Sequence, residues 1–123
     1  MGKIKKFSEF SALSDTSWSV GKEKVTLRQL LKFMKENDIT SKWIPISKLE
    51  KLLIKTKREK ERLEEADLRF PIIVSRRDGK YTSIIDGHHR LEKSMIEDSG
   101  KIRAKILDFD DCTQKLKRIF FNK

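Results

Sequence analysis

Two histidines, an aspartate and an arginine fall within five consecutive positions, Asp86-Gly87-His88-His89-Arg90, and the chain has no other histidine. Arg90 offers a planar, permanently charged fork that matches phosphate oxygens. The imidazoles of His88 and His89 can donate hydrogen bonds, and either can move a proton near neutral pH. Asp86 can orient a histidine or hold a nucleotide-bound magnesium ion; it can equally be a turn residue that bonds its own backbone. The chemistry suggested is the gripping of a phosphate. The competing reading is that the histidines and Arg90 cap a helix and pair with nearby acids. A histidine metal centre fits poorly, because adjacent helical side chains point about 100° apart whereas ligand pairs favour i,i+4 spacing. Cys112 is the single cysteine, which excludes an internal disulfide and a Cys-rich zinc site.

A loop of this kind needs a strand to lead in and a helix to lead out. Residues 71–75 and 81–85 are two β-branched runs, and Asp78-Gly79 between them favours a two-residue hairpin turn with positive φ at both positions. The second run enters the loop directly. A helix is then predicted, with Leu91 and Met95 on one face and Gly100 at the expected stop. Residues 102–109 alternate, with Ile102, Ala104 and Ile106 on one side and Arg103, Lys105 and Leu107 on the other, which predicts a third strand. The first amides of such a helix lack internal partners and its dipole makes that end positive, while Gly87 admits close backbone approach.

Upstream, residues 26–37 predict a helix with Thr26 as N-cap and Leu27, Leu30, Leu31 and Met34 at helical spacing. Packing on a sheet is favoured over the opening of a helix-turn-helix. Residues 42–46 suit a short edge strand, given Pro45, and Ser47 is a candidate cap for a helix carrying Leu49, Leu52 and Leu53. Residues 55–65 are almost wholly charged, with Lys57/Glu61 and Lys60/Glu64 at i,i+4, as in a solvated helix. Residues 1–21 scatter Phe7, Phe10, Leu13 and Trp18 without a period. Residues 113–123 form a basic terminal helix bearing Leu116, Ile119, Phe120 and Phe121. The expectation is one α+β domain, a small mixed sheet with flanking helices, at residues 41–112. Residues 1–40 would be an extension with one amphipathic helix, and residues 113–123 would pack on the domain.

With 29 basic and 19 acidic residues in 123, the formal net charge is +10. That excess draws anionic partners, DNA or RNA included, or else serves as a solubilising surface. No apolar run approaches the roughly 20 residues that span a bilayer, and no apolar segment follows the basic start as a secretory signal requires. The expected location is the cytoplasm, with no membrane partner.

From Trp43-Ile44-Pro45-Ile46-Ser47-Lys48-Leu49 through the hairpin and Ile84-Ile85-Asp86-Gly87-His88-His89-Arg90 to Asp108, the chain resembles the ParB/sulfiredoxin superfamily. The resemblance implies that Gly87, His88, His89 and Arg90 hold nucleotide phosphates (ATP, ADP or CTP, with Mg2+). Sulfiredoxins carry a catalytic Cys where His88 stands, and Cys112 lies beyond the closing strand, so sulfinic-acid repair is excluded. ParB partition proteins show Gly-Glu-Arg-Arg in this loop. The loop looks most like that of the ADP-dependent free serine kinases, which use a His-Glu pair after their first strand. Here that stretch is Leu49-Glu50-Lys51-Leu52-Leu53, with Glu50 the nearest acid. By this resemblance the chain is a phosphotransferase or nucleoside triphosphatase, with Asp86 serving the metal and Asp86, His89 or Glu50 the proton. The alternatives are a nucleic-acid-binding module or ParB-like nuclease, and a non-catalytic partner-binding protein.

Overall fold

The computed structural model describes residues 16–53 and 70–121. The charged segment at 55–65 and the scattered apolar residues before position 16 lie outside the described residues. Among the described residues, three helices and two small sheets, one of two strands and one of four, make the fold α+β. No helix among the described residues is long and apolar enough to cross a membrane. Although the length predicts one domain, the chain divides into two compact units, one running up to Asp38 and resuming at Cys112, the other Ile39–Asp111.

In the first unit an antiparallel hairpin of β1 (Ser17–Val20) and β2 (Glu23–Thr26) precedes α1 (Leu27–Glu36). The hairpin was not expected from the sequence. Thr26 caps α1 as anticipated, and the cap is reciprocal. Its Oγ1 accepts from the Gln29 amide at 3.1 Å, while its own amide donates to Gln29 Oε1 at 2.9 Å. Leu27, Leu30 and Met34 form the buried stripe. The terminal helix α3 (Gln114–Phe120) packs with β1 and β2, so it belongs to this unit rather than to the 41–112 domain expected to carry it. Phe120 meets Trp18 edge-on at 5.3 Å, and Arg118 forks onto Glu23. That hydrogen bond, the foremost cause, holds the Glu23 carboxyl below its usual range.

The second unit is a four-stranded mixed sheet in the order β3-β6-β4-β5. Edge strand β3 (Ser41–Pro45) runs antiparallel to β6 (Lys101–Asp108), and β6 runs parallel to β4 (Ile72–Arg77). Strand β4 turns through Asp78 (φ 53°) and Gly79 (φ 78°) into β5 (Lys80–Asp86), with both turn residues at positive φ as their identities demand. Helix α2 (His88–Ile96) carries the chain back to β6. One core joins Ile44, Ile46, Leu49, Leu53, Ile72, Val74, Ile84, Leu91, Ile102 and Ala104. Leu107, on the opposite side of β6 from Ile102 and Ala104, is also fully buried, so the strand does not divide into one apolar and one wet face. Two departures concern helices. Residues 46–53 form two 3₁₀ turns, Ile46–Lys48 and Glu50–Leu52, with no side-chain cap from Ser47. Helix α2 ends at Ile96, four residues before Gly100, because Asp98 already takes the left-handed conformation at φ 55°.

At the far end of the sheet, Arg76 Nε donates to Asp108 Oδ2 at 2.6 Å. Burial is the largest single influence on Asp108 and raises its pKa. The Arg76 hydrogen bond, the Asp110 amide and the Arg76 charge together outweigh it, so the carboxyl titrates below its usual range. A folded pKa below the unfolded one contributes stability that is complete above the unfolded value, about 4, and is lost as pH falls through the folded value. Urea denaturation should therefore show wild type losing more stability than Asp108→Asn on acidification below about pH 4. In the first unit, Thr26→Ala removes half of the reciprocal cap and should cost about 1 kcal/mol in the same assay.

Candidate functional site

Strand β5 ends at Asp86, and the next residue reverses the chain into α2. Gly87 sits at φ 106°, ψ 25°, a left-handed conformation that side chains resist, and it serves as the N-cap without any side-chain capping bond. The first intrahelical bond runs from the Leu91 amide to the Gly87 carbonyl at 2.9 Å. The amides of His88, His89 and Arg90 therefore stand at the open, positive end of a nine-residue helix.

Space imposes a second demand on Gly87. A Cβ there would lie 2.5 Å from Ile72 Cγ2 and 2.8 Å from Ile72 Cβ, with Arg90 Nε at 3.2 Å. What the missing side chain admits is Ile72 of β4, a residue at 0% exposure in the core. No spacing rule links Ile72, in the first of the two β-branched runs, to a glycine 15 positions later.

Arg90 is buried, and its Nη2 donates to Asp86 Oδ2 at 2.7 Å. The two side chains expose 11% and 18% of their surface, so this is a part-buried, charge-assisted pair across the turn. It realises the competing reading of the sequence, in which Arg90 finds an acid nearby. The four-residue spacing was visible, but Asp86 closes a strand, so helical i,i+4 logic did not apply. One of the guanidinium's five N–H donors is used by this bond. His88 and His89 are half-buried at the first two helical positions, and each already interacts with other groups of the chain. Glu50 is exposed on the second 3₁₀ turn, the turn that packs on β5.

The structure thus brings Asp86, Gly87, His88, His89 and Arg90 to one corner and binds two of them to each other. Among the described residues no three His, Cys, Asp or Glu side chains converge as metal ligands. Arg90 already engages one oxygen of the Asp86 carboxylate, Oδ2. No family model, no curated protein and no solved structure matches this chain.

The tightness of the corner has a measurable consequence. Gly87→Ala should cost at least about 2 kcal/mol in urea denaturation, the sum of a left-handed alanine and a forced contact with Ile72. Gly79→Ala, also at positive φ but with nothing within 4 Å of its Cβ, should cost about 1 kcal/mol. Equal costs would show that Ile72 yields freely.

Proposed function

We propose that the β5–Gly87–α2 corner is a phosphate-binding site and that its ligand is a nucleotide. The observation that carries this reading is the helix start itself. The helix opens at the His88, His89 and Arg90 amides under a glycine cap that supplies no competing side-chain oxygen, and the Arg90 guanidinium is tied to Asp86 in the same corner. Asp86 has a supporting part here. By taking one corner of the guanidinium it fixes the plane of the fork and offsets the cost of burying the charge, leaving other N–H groups to meet an anion. The resemblance of the hairpin and loop to the ParB/sulfiredoxin superfamily supports a nucleoside phosphate over free phosphate.

On this reading Gly87, His88, His89 and Arg90 bind the phosphates. Any phosphoryl transfer would rest on positioning and charge neutralisation, with His89 as the group able to carry a proton. Glu50, exposed on a neighbouring turn, is the acid available from outside the corner. ATP, ADP and CTP, with and without Mg2+, should be titrated at millimolar concentration while amide NMR shifts are followed. The expected outcome is a shift of the Gly87, His88, His89 and Arg90 amides that saturates with at least one nucleotide and more tightly than with inorganic phosphate. Unmoved loop amides at millimolar nucleotide would remove the proposal.

A further inference from the structure

The face of the four-stranded sheet turned away from α2 carries a second feature, unconnected with the loop. In the β3–β6 pairing, Ser41 lies opposite Lys105, Trp43 opposite Arg103, and Pro45 opposite Lys101. Directly opposed residues of an antiparallel pair project to the same side. Their neighbours Ile44 and Ile102 point the other way, into the core that receives Leu91 of α2. Trp43 is therefore set on the outer face in a row with three cations, Lys101, Arg103 and Lys105. Its indole is 63% exposed, and Lys101 Nζ lies 6.0 Å from the ring centroid. Lys101 is exposed, while Arg103 and Lys105 are half-buried. Farther along this face, Ile73, Ser75 and Leu107 are buried, so the accessible strip is the one beside edge strand β3.

We propose that this strip, Trp43 with Lys101, Arg103 and Lys105, is a docking surface for single-stranded nucleic acid. Two observations select that partner. Cations along one strand at two-residue spacing match a repeating anion, and the chain as a whole carries a charge of +10. A large indole left in water among them adds a flat face on which an unpaired base can stack, and every base presents such a face. An acidic polypeptide satisfies the cations but has no use for the indole. A duplex keeps its base faces stacked inside, where Trp43 cannot reach them. This surface lies on the opposite side of the sheet from the core under α2 and does not depend on the Gly87 corner.

Fluorescence anisotropy with a dye-labelled oligothymidylate at low salt tests the assignment on the full chain. Affinity should fall about tenfold for Trp43→Ala and should fall for Lys101→Ala combined with Lys105→Ala. The double variant should also show a shallower dependence on salt, because fewer counterions are released. Phe in place of Trp43 should keep most of the affinity. A duplex of equal length should bind more weakly than the single strand and should be indifferent to Trp43→Ala. Trp43 is exposed, so its variants should keep the wild-type thermal unfolding midpoint, which is measured alongside. Unchanged affinity in Trp43→Ala overturns the proposal. So does equal binding by the duplex, or competition by polyglutamate as effective as that by unlabelled oligonucleotide.

Discussion

The second unit depends on how Gly87 is wedged between Ile72 and Arg90. Backbone, packing and charge all meet there. A left-handed turn is needed to swing the chain from β5 into α2. Ile72 occupies the volume where any other residue would place its Cβ. Arg90, one turn into the helix, comes back to Asp86 at the strand end and ties the two elements across the turn. Ile72 pairs with Ala104 of β6 as well, so the corner is fastened to the parallel pair at the centre of the sheet. Removing either member of the ion pair alone would strand a part-buried charge, a larger loss than the pair's own net contribution.

Charge is the second organising constraint. In a chain this basic, the acids of the described ion pairs sit where a cation would otherwise be costly or loose. Asp86 balances buried Arg90, Asp108 steadies Arg76 at the end of the sheet, and Glu23 fixes α3 to its hairpin through Arg118. Edge strand β3 is treated differently. Pro45 lacks an amide to donate to a further strand, and Lys42 places a charge beside the free edge, both of which discourage sheet-to-sheet association. Trp43, an unprotected apolar group on that same strand, runs against this pattern, and the contrast is what gives it functional weight.

Much of the second unit was legible because its signals are local. Asp78-Gly79 encodes its turn in the φ preferences of two residues, the β-branched runs on either side encode the strands, and Pro45 marks the edge. Thr26 announced the start of α1 in the same way. What escaped depends on contacts distant in sequence or on competition among weak signals. The β1–β2 hairpin was hidden because Lys22, Glu23 and Lys24 mask the apolar alternation of Trp18, Val20 and Val25. The expected helix at Leu49 gave way to 3₁₀ turns with no capping side chain. At the corner, the sequence placed five residues in one loop but carried no signal that Ile72 packs against its glycine. Leaving room for a ligand and leaving room for Ile72 make the same demand on residue 87, and only the structure distinguishes them.

That distinction bears on how tightly the corner can hold an anion. Because Asp86 already offsets the Arg90 charge, a phosphate gains a few hydrogen bonds there and little long-range attraction. Every hydrogen bond to a phosphate oxygen is charge-assisted, at about 1.5–3 kcal/mol each. The loss of translational and rotational freedom on binding consumes about 4 kcal/mol or more of their sum. A millimolar dissociation constant corresponds to about 4 kcal/mol net. On the proposed reading, a nucleoside that makes contacts of its own on the second unit adds to what the phosphate contacts leave, a share that inorganic phosphate lacks.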